Sequence, residues 1–386
     1  MVTLGLLAVV SILFVLIAWR AHAFLAALDT VGVPAAPLPR STLVSVVIPA
    51  RNEAANIERC LRSVFCQDHP HLEVVVVDDN STDETPAILA RLAAQEPRLT
   101  VVAGAPLPPG WTGKNFALSQ AAALVRGDWL LFLDADTWLE PSAVRAAVAH
   151  AAAHRLGLLS LIPRQELGSF WERVIQPFVM LVIALLLPLQ AIADPRRPRI
   201  AYANGQFLLV RRAAYEKVGG HAALRDAVVE DSALARAVKA AGYTVQLADG
   251  RGLVHIRMYR NLREIWEGWS KNSFLSAGRC LRNVVLLIAA ISAALLLPPA
   301  FLLAGLARLG SAGPEPLAVL LSAVGGFQVA LVLYLAWRCY REVGAPGRYA
   351  LTLPLGAAMF NALLCYSAYR VLSGRGVVWK GRVYTA

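Results

Sequence analysis

The sequence predicts an α/β domain flanked at both ends by membrane-spanning helices. Three observations carry that prediction. The 386 residues are 57% hydrophobic and only 16% charged, too apolar for an ordinary soluble enzyme, and the apolar excess sits at the two ends. Between them, from about residue 40 to 282, charge density is ordinary and strand-like runs alternate with helix-like ones. Two of those runs, "LEVVVVDD" and "WLLFLDAD", end in paired aspartates, which places acid at the ends of buried strands.

The ends come first. Residues 2–19 are apolar apart from Thr3 and Ser11, and Arg20 follows. That length suits a transmembrane helix. A cleaved signal peptide usually opens on a basic region, and none precedes this run, so 1–20 reads as an anchor. Three further spans read out at 284–307, 317–337 and 349–369 within a C-terminal membrane region, 283–386. Arg20, the basic central domain, and Arg338, Arg341 and Arg348 agree on a multi-pass cell-membrane protein with its domain on the cytoplasmic side. Three full spans would then put the tail outside, yet the tail carries Arg370, Arg375, Lys380 and Arg382. One C-terminal segment is therefore a candidate for re-entry: 284–307, interrupted by Pro298-Pro299, or the last, which holds Pro354 and Asn361. The reading leans towards a cytoplasmic tail.

The net charge of +11 fits positive-inside anchoring and anionic lipid. No basic stripe interleaved with aromatics is present, so a nucleic-acid partner is not expected. The five scattered cysteines contain no C-x-x-C pair, which suits a reducing compartment and argues against a disulfide framework or a zinc site.

In the central domain, "LVSVVIPA" (43–50), "LEVVVVDD" (72–79), "LTVVAG" (99–104) and "DWLLFLDAD" (128–136) read as strands. The continuous β-branched runs suit strands buried on both faces. "RNEAANIERCLRSVF", "NSTDETPAILARLAA" and "GKNFALSQAAALV" between them read as helices, and Pro141 opens another at its first turn. This order implies a parallel sheet with helices on both faces. Ligands of such sheets bind beyond the carboxyl ends of the strands. Pro49-Ala50, Asp78-Asp79 and Asp134–Asp136 all fall there.

Two phosphate-binding loops are excluded. The first turn, "PARNEAAN", has no glycine and so is not a dinucleotide fingerprint, and "GWTGKN" lacks Walker A spacing. Carboxylates at strand ends repel a phosphate ligand unless a cation intervenes. Mg²⁺ or Mn²⁺ bound through one or two carboxylates and substrate phosphates resolves the conflict. A lone D-x-D could equally cap a helix or pair with arginine; convergence with Asp78-Asp79 favours the metal.

"VVIPARNEAANIERCLRSV", "VVVVDDNSTDET", "GKNFALSQA" and "LLFLDADTWLEP", in that order, resemble glycosyltransferase family 2, of GT-A fold, over residues 43 to 280. "LPPGWTGKNFAL", "VEDSALARAVKAAGY", "RMYRNLREIWEGWSKN" and "VVWKGRVY" are similar to the membrane-bound hopene-associated members. The resemblance implies inverting transfer from a nucleotide-diphosphate sugar, with a UDP-sugar the expected donor. It places Pro49, Ala50 and Glu53 at base and ribose, Asp79 at the base, and Asp78 in support of that loop. It puts Lys114 near the nucleotide or its phosphates, Asp134 at ribose or a metal-bound water, and Asp136 on the metal. It also makes Asp231 the base that deprotonates the acceptor hydroxyl, with Glu230 beside it. Without it, an acidic pair there is ordinary helix N-terminal acidity.

Further candidates are His255 as a metal ligand and Arg257 and Arg260 for the leaving diphosphate or lipid headgroups. A satisfied, partly buried histidine is the plainer role for His255. His150 and His154 are spaced i, i+4 but read as a solvated face. In "NLREIWEGWSKN", Leu262, Ile265, Trp266 and Trp269 line one face of an interfacial helix (260–278), with the two tryptophans as acceptor-stacking candidates. The apolar run 177–189 is too short to span and reads as a second interfacial segment within 170–193, dipping into the bilayer edge beside the site. The Q-x-x-R-W motif of processive synthases is absent, which favours transfer of one sugar to a membrane lipid, of hopanoid type by the resemblance. The alternatives are a processive polysaccharide synthase coupled to export and a catalytically silent scaffold.

Overall fold

The computed structural model describes residues 28–33, 42–380 and 382–384, together with residues 5, 10–12, 15–17, 19 and 20 of the N-terminal segment. Most of the expected 1–20 anchor lies outside the described residues. The chain divides into two compact units: one comprises 27–166 and 188–258, the other 1–26, 167–187 and 259–386. Helix Leu262–Ser276 and the segment 167–187 belong with the second unit.

The first unit is a Rossmann-like α/β domain. Its main sheet contains β1 (Val44–Ala50), β2 (Leu72–Asp78), β3 (Leu99–Ala103) and β4 (Trp129–Leu133). A short β5 (Thr137–Leu139) follows, then β6 (Leu156–Ile162), β7 (Arg164–Gln165), β8 (Phe207–Arg211), β9 (Thr244–Asp249) and β10 (Val254–Ile256). The seven-stranded order is β3-β2-β1-β4-β8-β6-β9, and β5-β10-β7 form a second, three-stranded sheet. The expected all-parallel sheet is corrected in one place. β8 runs antiparallel to both β4 and β6. It is reached by a long connection, so the strand enters from the opposite end.

Both faces of the sheet are covered, as the continuous apolar strands require. Val44, Val46 and Ile48 pack with Ile57, Leu61 and Leu89 on one side. Val47, Val75 and Val77 pack with Leu118, Leu234 and Val210 on the other. The alternation is the period of two of a strand. β1 thus contributes side chains to the core on both faces.

The second unit is helical. Leu281–Ser311, Pro316–Val343 and Gly347–Leu372 are each long and apolar enough to cross a membrane. Pro298 and Pro299 do not interrupt the first, which runs as one helix from Leu281 to Ala312. Small residues let it approach the next: a Cβ on Gly325 would sit 2.5 Å from the Leu302 nitrogen, and one on Gly305 2.4 Å from Ser322 Oγ. Such close approach is how helices associate within lipid. Val10 packs with Phe301 and Leu321, and Gln328 donates to Ser11 Oγ at 2.9 Å.

Helix Phe170–Leu186 starts with a capping box between Ser169 and Glu172. Tyr340 donates its hydroxyl to the Val174 carbonyl, and Phe178 meets Phe360. Trp269 does not present its ring as an interfacial aromatic. It is 9% exposed, donates Nε1–H to Gln176 and meets Tyr259 edge-on. The helix carrying it is packed on its neighbour, with Phe274 N–H donating to Ser367 Oγ. Trp266 is partly exposed and lies against Tyr366.

Candidate active site

The carboxyl ends of β1, β2 and β4 bring their loops together, and those of β1 and β2 are knitted into one surface. Asp79 N–H donates to the Ala50 carbonyl at 2.7 Å, and Arg51 returns a bond to the Asp79 carbonyl at 2.6 Å. Asn52 and Asn80 both take left-handed backbone conformations, with φ of 52° and 55°. Asparagine tolerates that region better than most residues. Asn52 Oδ1 accepts from Thr82 N–H, and Asn52 N–H donates to Ser81 Oγ. Asp78 Oδ1 accepts from Ser81 N–H at 3.1 Å, which holds the second loop. Glu53 donates its amide to Thr85 and accepts from Asn56. Pro49 pairs in register with Val77, and Ala50 with Asp78. Asp79 is 6% exposed.

The β4 end carries the other acids. Lys114 Nζ lies 2.7 Å from Asp134 Oδ1 and 2.6 Å from Glu230 Oε1. The lysine stands in the first turn of helix Gly113–Ala122, which Thr112 caps and which Thr112 N–H ties to the Arg225 carbonyl at 2.7 Å. Burial disfavours the ammonium, but the Asp134 and Glu230 carboxylates outweigh it and raise the Lys114 pKa.

Asp231 is the neighbour of this chain of charges. It sits in the first turn of helix Glu230–Ala240. Its Oδ2 accepts from Gly205 N–H at 2.9 Å and its Oδ1 from Ser232 N–H at 2.6 Å. Burial, then the adjacent Glu230 charge, push its pKa up to about 6, against the pull of Lys114 and the two amides. A carboxylate poised there can accept a proton near neutral pH.

Two residues of this site escaped the sequence reading. Gly205 precedes β8, whose reversed direction sets Phe207 opposite Leu133 and so delivers Gly205 to the carboxyl end of β4. A Cβ there would lie 3.2 Å from Asp231 Oδ2 and 3.3 Å from Lys114 Nζ. The only sequence signal was "ANGQ" before an apolar run. His221 is buried against Phe132, and the Tyr215 hydroxyl contacts its Nδ1 at 2.8 Å. Burial holds its pKa down to about 4, so the imidazole is neutral.

Asp136 lies in the turn between β4 and β5, half-buried, and its carbonyl accepts from Arg257 N–H at 3.3 Å. This places Arg257 across from Asp136. His255 Nε2 lies 3.0 Å from Glu140 Oε1, and its ring stacks on Trp138. Among the described residues no group of three or more His, Cys, Asp or Glu is gathered as a metal cage. Asp134 and Asp136 at the end of β4 are the carboxylates that a hard cation could take here. Arg260, Trp266 and Trp269 fall in the helical unit.

Part of the chain is similar to known proteins. Residues 45–219 match the model of the family described as Glycosyl transferase family 2. A 4,4'-diaponeurosporenoate glycosyltransferase of Staphylococcus aureus (strain MRSA252) is 30% identical over 239 residues, 61% of this chain and 62% of that one. Its counterpart in Staphylococcus haemolyticus (strain JCSC1435) is 25% identical over 248 residues, 64% of each chain. The match thus spans less than two thirds of either relative's length. The structure of a mannosyltransferase from Pyrobaculum calidifontis, in complex with GDP-Man and Mn²⁺, aligns with a TM-score of 0.51 at 24% identity. The alignment covers 93% of this chain and 97% of that one, a likeness of fold.

Proposed function

We propose that this chain, whose residues 45–219 match the model of glycosyl transferase family 2, transfers one sugar from a nucleotide-diphosphate sugar to a hydroxyl of a membrane lipid. The observation that carries the reading is Asp231, held by two backbone amides beside Lys114 and with a pKa near 6. An acceptor hydroxyl attacks the anomeric carbon as the bond to the diphosphate breaks, and Asp231 takes the hydroxyl proton. In-line displacement inverts the anomeric centre. Glu230 keeps Lys114 in place and its charge keeps Asp231 basic.

The linked loops after β1 and β2 supply the nucleotide end, with Pro49, Ala50, Glu53, Asp78 and Asp79. Asp136, assisted by Asp134, would hold Mg²⁺ or Mn²⁺. That cation would neutralise charge on the leaving diphosphate. Arg257, opposite Asp136, adds positive charge to the same end. His255 is committed to Glu140 and would join the metal only by exchanging that partner.

The lipid acceptor is supported by three helices able to cross a membrane and by the relatives' printed name, 4,4'-diaponeurosporenoate glycosyltransferase. A uridine nucleotide is the expected donor and a hopanoid-type alcohol one acceptor to include. This reading puts the domain on the cytoplasmic side, which the basic residues Arg338, Arg341 and Arg348 support.

The test is incubation of membranes holding the chain with labelled UDP- and GDP-sugars, with and without EDTA, followed by lipid extraction. Label in the lipid phase as a single sugar, lost with EDTA, is expected. Label only in water-soluble products overturns the lipid acceptor. Long chains would favour a processive synthase, and no transfer from any donor would favour a silent scaffold.

A further inference from the structure

The segment between helix Leu189–Ala193 and β8 opens with "DPRRPRI", residues 194–200, where three arginines stand against one aspartate. Its base is clamped in an unusual way. Lys239 is 4% exposed, and its Nζ donates to the carbonyls of Ala191 at 2.9 Å, Ile192 at 2.6 Å and Ile200 at 2.7 Å. Those carbonyls bracket the loop on both sides. A buried ammonium facing neutral carbonyls is disfavoured relative to water. Burial accordingly lowers the Lys239 pKa. The chain thus keeps a costly cation where it closes this loop.

The loop is also shaped from within. Asp194 accepts from Arg196 N–H and Nε–H at 3.0 Å and lies 3.6 Å from Arg197. Arg197 N–H turns back to the Asp194 carbonyl, and Ile200 N–H to the Arg197 carbonyl. Pro195 and Pro198 restrict the chain further. The Arg196 and Arg197 side chains are 87% and 59% exposed, and Arg199 and Ile200 are exposed as well. Asp194 offsets one of the three arginine charges, which leaves the exposed loop net positive beside the exposed Ile200.

We propose that the loop 194–200 is a docking surface for the anionic headgroups of the bilayer. The partner follows from the chain itself: it has three helices able to cross a membrane, so a bilayer is always at hand. Guanidinium groups recognise phosphate esters in a planar, two-pronged way. Juxtamembrane basic clusters gain affinity from anionic lipid, and salt screens the gain. The proposal does not depend on the transfer reaction.

Trypsin reads it directly. It cuts after Arg199, before Ile200, and the full chain can be placed in nanodiscs of phosphatidylcholine alone or with phosphatidylglycerol added. Cleavage at this bond is followed by mass spectrometry and normalised to the other tryptic sites of the chain. With phosphatidylglycerol present it should slow by about five-fold or more at low salt, and recover at high salt. In the double variant Arg196→Gln/Arg197→Gln, which keeps the Arg199 site, the two lipid compositions should give equal rates. Equal cleavage of the parent chain in both lipids overturns the proposal. So does protection that survives in the double variant, and so does protection reproduced by soluble inorganic phosphate in phosphatidylcholine nanodiscs.

Discussion

The backbone amide of Gly205 donates to Oδ2 of Asp231 at 2.9 Å, across the reversal of strand direction at β8. A side chain at 205 would press on both Asp231 Oδ2 and Lys114 Nζ. Gly205→Ala should therefore lower kcat by about tenfold, since small misplacements of a reacting group are expensive. Thermal unfolding should change little, because the added methyl meets side-chain ends. A kcat equal to that of the parent would show that the contact does not position the carboxylate.

Asp231→Asn keeps the shape and removes the proton acceptor. Transfer should fall by about 10²–10⁴-fold. Nucleotide-sugar affinity, measured by calorimetry, should stay within a few-fold. Equal losses in affinity and turnover would make Asp231 a donor-binding group instead.

The pH profile follows from the same group. Asp231 must be ionised to accept a proton, and its pKa is pushed up to about 6. Activity should be full well above that value and fall on acidification with one apparent pKa near it. Glu230 is adjacent, so the limb belongs to the pair. A profile flat down to pH 5 would remove Asp231 from the role.

Lys114 draws that pKa down. Lys114→Met should therefore move the acid limb to higher pH, and at neutral pH turnover should drop by about 10²-fold as a fixed charge is lost. An unshifted limb would mean that Lys114 acts only on the donor.

Asp136→Asn tests the cation. The variant should need at least about tenfold more Mn²⁺ for half-maximal activity, since a carboxylate ligand becomes a neutral one. Asp78→Asn, which touches the loop after β2 instead, should leave that requirement unchanged. An equal shift in both would indicate general damage to the crevice.

Much of this was legible in the sequence for physical reasons. Strands buried on both faces leave continuous apolar runs; β1, β2 and β3 coincide with them to within one residue, and β4 ends three residues sooner, at Leu133. Their carboxyl ends could be read because parallel strands put ligand loops on one side. β8 could not be read in the same way. Its five residues, Phe207–Arg211, look like any other buried strand, and nothing local encodes the direction in which a strand enters a sheet. Gly205 was lost with it. Trp269 misled because its spacing fits a membrane face as well as a packed one, and only the partner Gln176, 93 residues away, decides between them. Pro298-Pro299 misled because a proline pair in lipid can be accommodated by close neighbours such as Gly325, whose contact with Leu302 lies far along the chain.

The reversed strand has one more consequence. Ala50, Asp79 and Asp134 reach the crevice by leaving strands, whereas Gly205 reaches it by entering one, and Glu230 and Asp231 follow at a helix start. The domain is thus encoded as two cassettes that meet head to head. Under the proposed function, exchange of the later cassette would change Gly205, Glu230 and Asp231 together, while the linked loops after β1 and β2 stayed as they are.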